Sequence, residues 1–490
     1  MAIVSNFDNQ FTPDVNLLEA SPAPSIRASA IGVVGVVGQA IRGPVGVPTR
    51  VGSLADFTRL FGGYHAAQGG EGYMFMYNLF RSGASVVDFV RITDGNEKAA
   101  TATVNGTTYK LTSPGTWGNS VTLKVSASSV AGLVDLTFLY GKESYSYKSV
   151  TFTDSTSDKY IGNVLGAAAQ VDGFVQLVSA GVANPAAGTY TFSGGSNGTV
   201  EGVSLLDSAF VGVNDEMNGL SGLVALEADE EVEIVVCTRA NQAISEALKN
   251  HCSLTSVTPR MAVCAPELGT SVSALKSFMA TFDTDRCVMT YPFQQILNPN
   301  NNKKEYHNPT SFYAGLLSTL SYHISPSRQA IAGVIGTERA LTRSDVDQLS
   351  KARVSPITLL SGFGFVVRNG YNCSNEPAKA NVTRRRAVNF FAKTFETGLQ
   401  QFVSRPHTQS LRFEVVSSLN SLIQNEVAMG KIGRVNGGKS FAVKCDSENN
   451  PDSSVQQGKL IVDVQISLWS PADFINVTLD VSEAKVLTIG

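Results

Sequence analysis

Val232-Glu233-Ile234-Val235-Val236-Cys237 is a strand-length, largely apolar run that opens the alternation deciding the fold. A helical stretch, Ala240 to Leu248, follows it, then the apolar run Met261 to Ala265, a second helical stretch, Ser271 to Phe282, and a third run, Cys287 to Thr290. Strands that are apolar throughout and joined by helices imply a parallel sheet covered on both faces. The spacing therefore predicts an α/β core, with a mixed or parallel sheet and helices on both faces.

Toward the N-terminus, Ile31 to Val37 and Ser85 to Ile92 have strand length and enclose the Gly43-Pro44 turn and a helical stretch around Glu71 to Arg81. Residues 29–93 read as the first part of the core and 201–345 as its continuation. Between them, residues 94–200 are crowded with Thr, Ser and Gly and read as a β-rich inserted outer domain. Asn105-Gly106 lies between Thr101 to Val104 and Thr107 to Leu111, the pattern of a hairpin with a type I′ turn. Strand-like runs follow at Val121 to Val125, Leu133 to Tyr140 and Ser144 to Phe152, and the insertion is expected to end near Gly194 to Gly198. Residues 1–28, with Pro13, Pro22 and Pro24, read as an extended arm.

Toward the C-terminus, residues 346–478 read as a further domain and 479–490 as a second extended arm. Val388, Phe391, Phe395, Leu399 and Phe402 form one stripe of a helix over Arg384 to Val403. Val415, Leu419, Leu422, Ile423 and Val427 form another over Ser410 to Met429, with Gly430 as its stop. Leu460 to Leu468 alternates as a strand does, and so does Ile475 to Val481.

Lys+Arg 38 against Asp+Glu 41 leaves a net charge of −3, so no long-range positive field gathers nucleic acid or an anionic membrane. Charged residues make up 16% of the chain, against about 25% in an ordinary soluble protein. That deficit suits a surface covered by neighbouring subunits. The longest apolar stretch, Ile31 to Ile41, is too short to span a bilayer and carries Gly32, Gly35 and Gly38. Met1 to Ser5 lacks the features of a secretion signal, which sets the expectation of a protein kept in the cytoplasm that makes it. The six cysteines, without a CxxC pair, read as buried reduced thiols.

Gly433-Arg434-Val435-Asn436-Gly437-Gly438-Lys439-Ser440 matches the pattern of a phosphate-binding loop, which would place Lys439 on a nucleotide. Such a loop follows a buried strand and opens a helix. Here an amphipathic helix precedes and an alternating, strand-like segment follows, so the match reads as a glycine-rich turn. None of the histidines, His65, His251, His307, His323 and His407, has metal-ligand spacing, and no G-x-S-x-G elbow occurs. Asp283 and Asp285 read as capping or loop residues. Arg384, Arg385 and Arg386 open a helix whose N-terminal dipole disfavours cations. Two readings stay open for them: a solvated or internally paired cluster, or salt bridges between subunits.

Phe441-Ala442-Val443-Lys444-Cys445-Asp446, Asn449-Asn450-Pro451, Gly458 to Ile466 and Pro471-Ala472-Asp473-Phe474-Ile475 resemble the closing signature of phage contractile-tail sheath proteins. Gly43-Pro44, Phe57 and Phe61-Gly62 resemble the early segment of that family, and Pro114-Gly115-Thr116-Trp117-Gly118-Asn119 resembles its pG-x-WGN element. Phe192-Ser193-Gly194-Gly195 and Ser325-Pro326-Ser327 through Gly333 are similar to later motifs. The Pro-Gly-Val-Tyr opening is missing, and Phe363 to Arg368 stands where a tryptophan-containing stretch is usual.

The resemblance implies hexameric rings stacked into a helical sheath around an inner tail tube, which contracts to drive the tube through a host envelope for genome delivery. It implies partners in further copies of the chain, the tube protein, and the baseplate and terminator or neck proteins, with no direct nucleic acid, no membrane insertion, no cofactor, no metal and no catalytic residue. It implies assembly in a host bacterial cytoplasm and residence in the virion tail. Terminal arms would add strands to neighbouring sheets, through Ile3, Val4 and Phe7 at one end and Leu479, Val481, Val486, Leu487 and Ile489 at the other. Arg412, Glu426, Lys431 and Arg434 are expected to face the tube. A genome-free bacteriocin or secretion-system sheath is the alternative, and a nucleotide-dependent enzyme using Lys439 the remote one.

Overall fold

Short runs of Val, Ile and Cys bounded by glycines and polar turns form the centre of one eight-stranded sheet. The computed structural model describes residues 26–64, 70–171, 174–198, 206–215, 219–254, 258–434 and 438–471. In chain order the strands of this sheet are β1 Val34–Gly38, β2 Thr49–Val51, β3 Val87–Arg91, β4 Ile234–Cys237, β5 Met261–Cys264, β6 Cys287–Tyr291, β7 Val354–Leu360 and β8 Gly364–Val367. They lie in the order β2-β3-β1-β4-β5-β6-β7-β8. The six from β3 to β7 are parallel, and β2 and β8 are antiparallel edges.

Val34, Val36, Ile234, Val263 and Val288 pack on one face with Phe57, Met76 and Leu317, which belong to helices Leu54–Phe61, Gly70–Arg81 and Pro309–Thr319. Val37, Val235, Ala262 and Met289 pack on the other with Ile244, Leu248 and Leu275, from helices Gln242–Ser253 and Val272–Met279. The helices start where the side-chain chemistry allows. Asn241 accepts from the N–H of Ile244 and Ser271 from that of Ala274, each satisfying an orphan donor of the first turn. All six cysteines are free and buried.

Between β3 and β4 the chain builds a separate β-rich lobe. Asn105 (φ 49°) and Gly106 (φ 78°) turn the hairpin Thr101–Val104/Thr107–Leu111 through two positive φ values, as a type I′ turn requires. Val175–Ser179 completes that three-stranded sheet. Gly188–Thr191, Thr122–Ala127, Val134–Tyr140 and Glu143–Val150 make a four-stranded one. Trp117, Leu123, Phe138, Phe174 and Phe192 share the lobe's own core. The Trp117 segment is tied to the Phe192–Gly195 turn: Asn119 Nδ2 donates to Gly195 O (2.9 Å) and the N–H of Gly195 donates back to Asn119 Oδ1 (2.8 Å).

The lobe leaves and returns through one neck. Lys98 and Ser196 exchange backbone hydrogen bonds of 3.0 and 2.9 Å, as do Thr101 and Ser193 at 2.9 Å each. Gly198 (φ 92°) lies so close to the Asp94 carboxylate that a side chain there would collide with it. At the sheet end, Arg91 donates to the carbonyls of Gly43 (2.8 Å) and Pro114 (3.0 Å), and Arg42 pairs with Glu143 at 2.7 Å beneath Trp117 and Tyr140.

β7 and β8 complete the large sheet, so the core runs on past residue 345. The chain divides instead into one unit of residues 30–386 and a second containing 26–29 and the chain from 387. The boundary falls inside the helix Val382–Leu399. In the second unit, helix Gln409–Ala428 and a two-stranded antiparallel sheet, Phe441–Lys444 with Asp463–Ile466, enclose a core of Ile26, Phe402, Leu411, Val415, Leu419 and Leu422.

Candidate functional site

The two-stranded sheet of the second unit, Phe441–Lys444 with Asp463–Ile466, lies within the C-terminal stretch that carries the resemblance. Its core side is fixed by Val443, Leu460, Val462 and Val464, which pack against the face of helix Gln409–Ala428 formed by Leu411, Val415, Leu419 and Leu422. That helix starts at Thr408, whose hydroxyl accepts from the N–H of Leu411 (3.2 Å).

Pairing within the sheet is Phe441↔Ile466, Ala442↔Gln465, Val443↔Val464 and Lys444↔Asp463. Beyond it, the N–H of Ser467 donates to Ser440 O at 2.8 Å. Backbone groups of an antiparallel strand point alternately toward and away from the partner. Ser440, Ala442 and Lys444 therefore face the second strand, while the N–H and C=O of Phe441 and Val443 face outward. Among the described residues the sheet has two strands, so that edge carries no third. A groove of about 470 Å³ runs beside it, lined by Asn420, Gln424 and Val427 of the helix and by Lys439 to Val443. An unpaired strand edge beside a groove accepts an extended segment by main-chain hydrogen bonding.

The N-terminal segment enters the same unit. Ile26 is buried against Gly398, where a side chain would collide with it, and the N–H of Ser29 donates to Thr394 Oγ1 at 3.2 Å. The arm residues Ile3, Val4, Phe7, Leu479, Val481, Val486, Leu487 and Ile489 lie outside the described residues.

The glycine-rich turn has a packing explanation. Gly433 lies against the Trp469 ring, leaving no room for a Cβ, and its N–H donates to Ser467 O at 3.1 Å. Helix Gln409–Ala428 precedes the turn and strand Phe441–Lys444 follows Lys439, the reverse of what a phosphate loop needs. Residues 435–437 lie outside the described residues.

Of the four residues expected to face a tube, Arg434 is exposed, and Arg412 is half-buried with its Nε donating to His407 Nε2 at 3.2 Å. Glu426 corrects the expectation: it is 3% exposed and pairs with Lys431 at 3.0 Å. The reason is helical spacing, since Glu426 stands three and four residues after Ile423 and Leu422, on the apolar face.

For the arginine triplet, internal pairing describes two members. Arg386, with its side chain fully buried, bonds Glu233 at 2.8 Å and donates to Leu320 O at 2.8 Å. Arg385 pairs with Asp285 at 3.0 Å. The intersubunit reading is thereby corrected for Arg386, whose guanidinium is enclosed. Arg384 is exposed and donates to Ala378 O at 2.9 Å. The same helix turns differently from its apolar count: Val388 is 51% exposed, while Ala387, Phe390 and Phe391 are buried. Counting only apolar residues overlooks Arg386 and Thr383, which are buried polar members of the stripe.

No protein-family model and no curated protein matches the chain. Among solved structures, a sheath tail protein from Desulfitobacterium hafniense is similar, with TM-score 0.61 and 13% identity, over 89% of this chain and 94% of that one. A sheath tail protein from Listeria innocua gives TM-score 0.61 and 13% identity over 86% and 90%. The helical sheath of the anti-feeding prophage in its contracted state gives TM-score 0.57 and 13% identity over 98% and 100%. The chain has the fold that these sheath proteins share.

Proposed function

We propose that the chain is the sheath subunit of a contractile, tail-like particle. The observation that carries the reading is the outward-facing edge of Phe441–Lys444 beside its groove, in a chain with the sheath fold. An extended arm of a neighbouring copy would enter the groove and pair with Phe441 and Val443, and repetition of that head-to-tail contact would propagate a helical polymer. Both arms, 1–28 and 479–490, are the proposed donors.

Contraction then requires no catalytic step. Folded units would move as rigid bodies between two lattices while the strand links bend, and the free-energy difference between the lattices would supply the work. The proposed partners are further copies, an inner tube protein, a baseplate and a terminator or neck protein. Among the described residues no helix is long and apolar enough to cross a membrane. The phage setting, with genome delivery and assembly in a bacterial cytoplasm, is the first reading. A genome-free injection particle is the second, favoured by a match over 97% of the chain to the sheath of an extracellular contractile injection system.

Negative-stain microscopy of the purified full chain tests the proposal. Striated tubes are expected, and their loss on removing the arm residues 1–25 and 479–490. Monodisperse monomers across salt conditions, or tubes that form equally well without both arms, would overturn it. Packaged DNA in the native particle distinguishes the phage from the genome-free reading.

A further inference from the structure

Strand order reverses between β1 and β4: the chain passes from β1 to β2 and β3 on one side, and β4 to β8 lie on the other. In open α/β sheets the crevice beyond the carboxyl ends of the strands at such a point is the usual ligand site. Next to that point, beyond the carboxyl ends of β4, β5 and β6, lies a cavity of about 560 Å³, lined by Thr238, Arg239 and Ala240 after β4, Glu267 after β5 and Phe293 after β6. Its volume suits a small organic molecule.

Glu71 and Asn78 line it from one face of helix Gly70–Arg81, seven residues apart. Asn78 is fully buried, and neither atom of its side-chain amide has a hydrogen-bond partner. A buried amide without partners is costly, and it marks a place where a ligand or water is expected. Three carboxylates, Glu71, Glu267 and Glu305, line the cavity against one guanidinium, that of Arg239. Arg239 already pairs with Asp207 at 3.0 Å and lies over the Phe210 ring. Desolvation lowers the pKa of His307, which favours its neutral form. Glu71 stands at the mouth with one side open to solvent. The surrounding walls still raise its carboxyl above the ordinary value by desolvation, a penalty that a bound cation would relieve. Phe75, Phe293 and Tyr306 supply aromatic walls that tolerate an ammonium group.

We propose that this crevice binds a small organic cation of the linear diamine class, with the Asn78 amide hydrogen-bonding it and the Glu71 and Glu267 carboxylates balancing its charge. The site is independent of the assembly reading, because none of its residues belongs to the two-stranded sheet.

Titration calorimetry of the full chain with 1,4-diaminobutane at low ionic strength tests it, with 1,4-butanediol and inorganic phosphate as neutral and anionic probes. Binding of one diamine per chain is expected, weakened at least tenfold by Glu71→Gln. Asn78→Leu should abolish binding while leaving the ligand-free melting temperature equal or higher, since it removes an unpartnered amide. Tighter binding of the diol or phosphate, diamine binding unchanged by Glu71→Gln, or no diamine binding to the wild-type chain would overturn the proposal.

Discussion

Val443→Pro isolates the strand edge. The N–H of Val443 points away from the second strand, so proline removes a donor that no intrachain pair of the sheet uses, and proline is tolerated at sheet edges. An incoming strand would lose that hydrogen bond, about 1 kcal/mol, and would leave its own acceptor unmet at about 1–3 kcal/mol. The combined loss is about 2–4 kcal/mol per link, or roughly 30- to 700-fold in the association constant. Val443→Ala supplies the control for the lost side chain, because it retains the N–H. Ala442→Pro supplies the opposite control: its N–H faces Gln465, and its loss should unfold the small sheet. Critical concentration by sedimentation, with urea unfolding of the monomer alongside, reads the outcome. A critical concentration for Val443→Pro within twofold of that for Val443→Ala would refute the edge assignment.

Four further outcomes follow from the geometry. Arg386→Met leaves Glu233 without its cation and should destabilise the large unit by about 3–5 kcal/mol in urea unfolding, with Glu233→Gln/Arg386→Met losing less than the two single changes together. Gly433→Ala forces a Cβ against Trp469 and should cost about 1–3 kcal/mol, whereas Lys439→Ala should leave stability within about 0.5 kcal/mol; ATP hydrolysis abolished by Lys439→Ala would instead support a nucleotide site. His251, buried beside Arg260, has its pKa lowered to about 4. The unfolded chain binds the proton first, so this contribution is full above the ordinary histidine pKa and is lost as pH falls from about 6.5 toward 4, by roughly 3 kcal/mol at most; His251→Gln should flatten that part of the stability profile. Arg434→Glu, at an exposed position, should weaken tube-templated assembly without changing the melting temperature, and unchanged assembly would remove Arg434 from the tube contact.

The parallel centre of the sheet is legible in the sequence because Ile234 to Cys237, Met261 to Ala265 and Cys287 to Thr290 are buried on both faces and so carry largely apolar runs. The Asn105-Gly106 hairpin is legible because few other residues accept two positive φ values. Charges mislead where helical position outweighs residue type: Glu426 and Arg386 sit on buried faces, with partners at Lys431 and Glu233. Partners far apart in sequence, such as Arg385 with Asp285, leave no periodic signal. The crevice is hidden for the same reason, since Glu71, Asn78, Arg239 and Glu305 come together only through the order of the strands. The extension of the core to residue 386 escapes a reading by periodicity because β7 joins the sheet by pairing with β6, Met289 opposite Val354, across a large gap in sequence.

The paired backbone at Lys98/Ser196 and Thr101/Ser193 makes the intervening chain a cassette, entered and left at one point. Exchange of its contents for another protein with closely spaced ends would leave the order of β1 to β8 unaltered. A natural lineage could diversify this part freely, and an engineer could graft a tag or a binding domain there, provided that Arg42 and Arg91 are given new acceptors in place of Glu143 and Pro114.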